Sequence, residues 1–187
     1  MIRGDSTDYD LLEKWAKDFD CKGYKTCEIG VREGLGSKII MDNVKNAYLH
    51  VGVDPYANLK YQHYDNSTAY TADYTDEMRD QLLIDMDPYI KAGKFTLVNM
   101  TDTEFMNESK HMHSKFCFVH FDGPHMTKDV INEAIWFANR AAPHTRFVFD
   151  DIKTYRMDLI ANLLSHYGFK TVEMGDNKCL LERNITW

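Results

Sequence analysis

Residues Thr26–Ser37, reading T-C-E-I-G-V-R-E-G-L-G-S, place an apolar strand, a glycine turn and the start of a helix in immediate succession. The strand is expected over about Lys25–Val31. Three glycines follow at Gly30, Gly34 and Gly36, and then the helical spacing of Leu35, Ile39, Ile40 and Val44. A strand that turns through glycines into a helix brings backbone close to a nucleotide-like ligand. Such a unit needs a parallel sheet to sit in, so it restricts the fold more than any other stretch. Glu28 lies inside the strand, two residues before the first glycine. A carboxylate there suits a cationic or hydroxyl-bearing ligand better than a phosphate.

The chain around this unit alternates. Residues 8–20 read as an amphipathic helix with Leu11, Leu12, Trp15 and Phe19 on one face, capped by Thr7 or Asp8. It is expected to pack on the sheet edge or to lid a ligand site. Strands follow at Tyr48–Asp54, Phe95–Val98, Phe116–Phe121 and Arg146–Phe149, with helices over about 75–92, 101–113, 128–142 and 155–167. The fourth strand is almost continuously apolar, which suits a central, two-sided position. Residues 55–73 carry Tyr56, Tyr61, His63, Tyr64 and Tyr70 without a period and read as a long loop that lids a ligand or packs on the sheet. The chain closes with strands at Lys170–Met174 and Lys178–Glu182, joined by the short turn Gly175-Asp-Asn-Lys178. The expected fold is therefore α/β: a Rossmann-like, doubly wound sheet of seven strands, mostly parallel, with an antiparallel C-terminal hairpin. One domain over 1–187 is expected, since no linker, repeat or low-complexity tract interrupts the pattern.

Composition excludes several classes. A net charge of -7 argues against a broad electrostatic grip on nucleic acid. No apolar run reaches the roughly 20 residues of a membrane span, and the N-terminus lacks an apolar signal core, so a cytoplasmic protein without membrane or nucleic-acid partners is expected. Cys21, Cys27, Cys117 and Cys179 form no C-x-x-C pair and read as buried, reduced thiols. The exposed aromatics of 55–73 could serve a homo-oligomer as easily as a lid.

In open parallel sheets ligands bind beyond the carboxyl ends of the strands. Those ends here are Gly30–Gly36, Asp54, Asn99–Thr101, Asp122–His125 and Asp150–Asp151. The glycine segment is neither a phosphate loop nor G-x-G-x-x-G, because Arg32 stands at the second glycine position. That position and the closing hairpin disfavour a nicotinamide-dependent oxidoreductase; a plain tight turn is the simpler alternative to a ligand loop. Asp54 stands where an acid would hold a ribose, or is merely a strand-end acid before Pro55. Asp122, Asp150 and Asp151 could together hold magnesium, or one orients substrate while another caps a helix. His125, on a loop, is a candidate general base on a substrate hydroxyl or a solvated histidine. His111 and His113 are expected at the surface.

Taken in order, Glu28-Ile-Gly-Val-Arg-Glu-Gly34, Val53-Asp54, Phe121-Asp-Gly-Pro-His125 and Phe149-Asp-Asp151 resemble class I S-adenosylmethionine-dependent methyltransferases. The resemblance is nearest to the subgroup of macrocin-type sugar O-methyltransferases and cephalosporin hydroxylase-like proteins, and covers roughly residues 25–183. It implies that Glu28 and the backbone around Gly30 and Gly34 serve the methionine part of the cofactor and that Asp54 holds the ribose. Met100 and Thr101 would lie near the adenine, and Asp122 beside the sulfonium and the substrate. It also implies magnesium at Asp122, Asp150 and Asp151, with His125 as base. The implied activity is methyl transfer from S-adenosylmethionine to a small hydroxylated acceptor, a sugar or phenol. The alternative is a non-catalytic cofactor-binding or scaffolding module of the same fold. Arg32 departs from the small residue common at its position, and no inserted substrate domain is evident.

Overall fold

A computed structural model describes residues 2–4, 6–57 and 59–185. The elements run in chain order as follows. Helix α1 (Tyr9–Ala16) precedes β1 (Lys25–Ile29), α2 (Leu35–Asn43) and β2 (His50–Val53). A small ribbon, β3 (Lys60–Tyr61) with β4 (Tyr70–Thr71), leads to α3 (Asp76–Asp85), α4 (Asp87–Lys91) and β5 (Phe95–Val98). Then come α5 (Asp102–Asn107), a 3-10 turn at Ser109–His111, β6 (Phe116–Phe121), α6 (Thr127–Ala138) and β7 (Ala141–Phe149). Helix α7 (Met157–Ser165) and the hairpin β8 (Phe169–Met174) and β9 (Cys179–Asn184) complete the chain.

Seven strands form one sheet in the order β5-β2-β1-β6-β7-β9-β8. The first five are parallel, while β9 runs antiparallel to both β7 and β8. This is the expected architecture. From β1 the chain winds outward to β2 and β5, then returns to β6 on the other side, so the direction of winding reverses between β1 and β6. Such a reversal opens a crevice at the carboxyl ends of the two strands.

The central strands are covered on both faces and feed two layers. On β6, Phe116, Val119 and Phe121 join Phe105, Phe137 and Ile160 of α5, α6 and α7 in the larger core. Cys117 and Phe118 face Leu12, Trp15 and Ile40 of α1 and α2. A third cluster gathers Leu82 and Met86 of the α3–α4 segment around Tyr56 and Phe95. Helix α1 thus packs on α2 and the sheet face, and Tyr9 at its start also lines the main cleft.

Several boundaries differ from the sequence reading. The 75–92 helix is two helices that meet at Met86, with Pro88 in the first turn of the second. Pro88 lacks the N–H that an unbroken helix would use there. The helix expected over 128–142 ends at Ala138, because β7 begins at Ala141 and pairs with Phe116 of β6. Residues 101–113 hold only a short helix, capped by Thr101 in a reciprocal box with Glu104, and then the 3-10 turn. His111, expected at the surface, is buried with its ring 4.4 Å from that of Phe105. Cys21 and Cys117, expected as thiols, are joined in a disulfide with Cα atoms 5.5 Å apart, because the turn after α1 lies directly over β6. Cys27 and Cys179 are free and buried. Among the described residues no helix is long and apolar enough to cross a membrane.

Candidate active site

Two adjoining cavities, of about 440 and about 380 Å³, lie at the carboxyl ends of β1, β2 and β6 and share Gly30, Ala72, Tyr74 and Asp122. The first runs past Glu28, Gly36, His63, His125 and Asp151. The second runs past Asp54, Tyr56, Leu59, Thr101 and Asp102. Together they form one cleft across the β1/β6 reversal, long enough to take in residues from the ends of five strands, β1, β2, β5, β6 and β7.

The glycine turn fixes the middle of the cleft. Gly30 has φ +84°, and a Cβ there would stand 2.0 Å from the carbonyl oxygen of Asp122. Only glycine lets the ends of β1 and β6 approach this closely, with Asp122 N–H donating to Ile29 O at 2.9 Å. Arg32 also takes a left-handed conformation, φ 47°, and its guanidinium sits 5.4 Å from the centre of the Tyr74 ring. A side chain at φ near +50° is uncommon and costs backbone energy. Asp54 offsets this strain: its Oδ2 accepts from Val31 N–H at 3.0 Å and Arg32 N–H at 2.9 Å, and its Oδ1 from Tyr56 N–H at 3.0 Å. Asp54 therefore ties β2 to the glycine turn and still borders the second cavity. Burial pushes its carboxyl above the usual range despite those three donors.

Glu28 is buried and accepts from Ser37 Oγ, while its Oε1 lies 2.8 Å from His120 Nδ1. Gly36 leaves the space that Glu28 occupies, since a Cβ there would meet Glu28 Oε1 at 2.0 Å. The polar chain continues from Ser37 to His50 Nε2 at 3.0 Å and from His50 Nδ1 to Thr26 Oγ1 at 2.8 Å. Burial pushes the His50 imidazole down to about 4, so it is neutral at pH 7. Gly34, as N-cap of α2, has φ +87° and shapes the turn without lining either cavity. Thr101 and its neighbour Asp102 border the second cavity; Met100 packs against the core and does not.

The third region lies where β6 and β7 end. His125 is buried, with its Nδ1 3.0 Å from His63 Nε2 and 3.3 Å from Asp151 Oδ2. Its Nε2 stands 3.9 Å from Asp122 Oδ1. The rings of Tyr64 and Tyr155 lie nearly parallel to it on centroid distances of 6.1 and 6.0 Å. Burial lowers the His125 imidazole to about 4, against the opposing pull of Asp151. Asp122 is pushed well above the usual carboxylate range by burial and by the neighbouring charge of Asp150.

The three aspartates expected to share magnesium do not form one open site. Asp150 is fully buried against Lys178, whose ammonium contacts Oδ2, as does Ser6 Oγ. Its Oδ1 accepts from Asp151 N–H at 2.8 Å and Asn177 Nδ2 at 3.2 Å. Burial raises the Asp150 carboxyl, but His120, Lys178 and Ser6 together leave it lowered, hence ionised and paired. A carboxylate with four donors, one of them an ammonium, has no lone pair to offer a cation. These residues therefore do not fit magnesium. Among the described residues, two other triplets bring potential ligand atoms within 4.8 Å of one another: Glu28, His120 and Asp122, and His63, His125 and Asp151.

Sequence reasoning missed His120 and Lys178, and named His63 and Tyr64 only as members of a loop that lids a ligand or packs on the sheet. His120 carried a usable signal, a lone imidazole inside an otherwise apolar strand. His63 sits in a segment without periodicity and is recruited by the ribbon, which no local pattern announces.

Comparison with known proteins bears on the fold. The O-methyltransferase of Bacillus cereus, solved in complex with S-adenosylhomocysteine, superposes with a TM-score of 0.65 at 9% identity, covering 97% of this chain and 82% of that one. A candidate rRNA methylase of Clostridium thermocellum gives 0.64 at 10% identity, covering 98% and 99%. A candidate methyltransferase of Streptococcus mutans, also with S-adenosylhomocysteine, gives 0.61 at 9% identity, covering 97% and 98%. At such identities the likeness is one of fold. No curated protein matches in sequence. Residues 27–152, more than half of the chain and the stretch from β1 to the end of β7, match the family described as the methyltransferase domain; the chain belongs to that family.

Proposed function

We propose that this methyltransferase uses S-adenosylmethionine to methylate an oxygen of a small hydroxylated molecule, a sugar or a phenol. The observation that carries the reading is the continuous cleft across the β1/β6 reversal, with acids at both ends and a buried imidazole in the first cavity. The second cavity suits the adenosine, with Asp54 Oδ1, which holds a single N–H, available to a ribose hydroxyl and Thr101 and Asp102 beyond it. The first cavity suits the methionine end, beside Glu28 and the Gly30 backbone. S-adenosylmethionine supplies a sulfonium methyl that is displaced in line, the bonding pair leaving on sulfur.

The acceptor belongs in the remainder of the first cavity, against His63, Tyr64, His125 and Asp151. There the chain must do two things: hold a hydroxyl oxygen in line with the methyl and take its proton as the oxygen–carbon bond forms. His125 is neutral at pH 7 and can accept that proton, with Asp122 and Asp151 close enough to steady the resulting imidazolium. A cleft of this size fits a small molecule rather than a nucleic acid, in keeping with the net charge of -7.

Calorimetric titration with S-adenosylmethionine and S-adenosylhomocysteine tests the cofactor. Binding of both in the micromolar range is expected, and a folded sample that binds neither overturns the reading. A screen of small sugars and phenols for S-adenosylhomocysteine release then tests the acceptor. With an accepted substrate, His125→Gln should lower kcat by about 100-fold or more while leaving cofactor affinity near wild type.

A further inference from the structure

Three potential ligand atoms converge beside the acceptor region: His63 Nε2, His125 Nδ1 and Asp151 Oδ2. They come from three separate segments, the ribbon loop, the loop after β6 and the loop after β7. From the geometry we infer that they form a binding site for a first-row transition-metal dication such as zinc or cobalt. With bonds of about 2.1 Å and angles of about 90–110°, neighbouring ligand atoms around such an ion stand about 3.0–3.4 Å apart. The separations from His125 Nδ1 are 3.0 Å to His63 Nε2 and 3.3 Å to Asp151 Oδ2.

Hydrogen bonding alone does not account for this convergence. A neutral imidazole carries one proton, and His125 Nδ1 faces two partners. If Nδ1 is protonated, its single N–H must be divided between Asp151 and His63, which weakens each bond. If His63 donates to it instead, its lone pair confronts the Asp151 carboxylate. A single cation satisfies all three atoms at once and leaves His125 Nε2 to carry the ring proton, with Asp122 Oδ1 3.9 Å away.

The surroundings hold the three groups in place. Asp151 Oδ1 accepts from Asn177 Nδ2 at 2.7 Å, which leaves Oδ2 turned to His125. The His125 N–H donates to His63 O at 2.9 Å, locking the two loops together. Tyr64 and Tyr155 fix the plane of the His125 ring. Two imidazoles and one carboxylate are borderline ligands that suit a transition metal, whereas magnesium prefers oxygen alone. Such a set leaves further coordination positions for water or an acceptor oxygen. The acceptor role rests on the methyl-transfer reading, while metal binding itself does not. In that role the ion would lower the pKa of the acceptor hydroxyl, and His125 would act as ligand in place of free base.

The test uses untagged protein, stripped with a chelator and dialysed. Zinc is titrated against a chromophoric chelator, cobalt by its visible absorption and magnesium by calorimetry. One equivalent of zinc or cobalt should bind, with magnesium far weaker. His63→Ala and Asp151→Asn, checked for folding by circular dichroism, should each weaken zinc binding by more than about 100-fold, beyond what loss of a merely supporting group costs. No zinc or cobalt uptake by the wild type overturns the inference, as does uptake that survives both substitutions. Titration with S-adenosylhomocysteine on the same samples separates the two readings. Cofactor binding without metal uptake sinks only the metal site, and metal uptake without cofactor binding sinks only the methyl-transfer reading.

Discussion

At the scale of single residues, the site depends on a few positions with no tolerance. Gly30→Ala would place a methyl 2.0 Å from a backbone oxygen at φ +84°, so it should either prevent folding or cost several kcal/mol, read from urea unfolding. Lys178 and Asp150 form a fully buried ion pair. Lys178→Met strands a buried carboxylate, and a loss of about 3–5 kcal/mol is expected in the same measurement; a loss below about 1 kcal/mol would mean that Asp150 finds other compensation. His50 gives a pH signature. Its folded imidazole titrates at about 4, so between the ordinary value near 6.5 and pH 4 the unfolded chain binds a proton that the folded chain refuses. Its contribution is complete above pH 6.5 and is lost as pH falls through 4. The stability of wild type relative to His50→Gln should therefore shrink from pH 7 to pH 5. Asp54, Asp122 and His125 were legible as strand-end residues, whereas Lys178 was not: its role depends on β9 lying beside β7, a tertiary fact.

Among the elements, the 59–74 segment matters most. It carries β3 and β4, borders both cavities and, besides the packing of Tyr74 under Arg32, is fastened at two points in its middle. One is the His63–His125 contact. The other is Asp65, whose Oδ1 accepts from Thr127 N–H at 2.8 Å and whose Oδ2 accepts from Thr127 Oγ1 at 2.6 Å. Asp65 thus caps the start of α6 from a distant part of the chain, where a negative charge also meets the positive end of the helix. Asp65→Ala should speed amide exchange across 59–74 with little change in the exchange of β1 or β6, as measured by hydrogen–deuterium exchange. Unchanged exchange in 59–74 would show that the histidine contact alone holds the segment. Its sequence read as a loop because strands of two residues leave no measurable alternation. The 128–142 reading ran long for a related reason: Ala141 and Ala142 continue the apolar pattern past the helix end, and only the pairing of Ala141 with Phe116 decides where α6 stops.

At the scale of the whole molecule, the seven-stranded, mostly parallel architecture followed from the sequence because alternation of strands and helices admits few topologies, and the Gly175–Lys178 turn forces the antiparallel ending. What the sequence left unspoken were contacts between segments far apart. The Cys21–Cys117 disulfide is one, closing a separation of 96 residues between the turn after α1 and the centre of the sheet. Cys117→Ala should lower stability by about 2–4 kcal/mol, and reduction should lower the melting temperature of the wild type. The intact mass should also rise by two hydrogens on reduction, and a mass that does not rise would remove the cross-link from the account. The ribbon is the other such contact. The same stretch of chain that walls the cleft also brings His63 to the acceptor region. Wall and reacting group are therefore one piece of chain: any displacement of the ribbon that widened the cleft would also carry His63 away from His125.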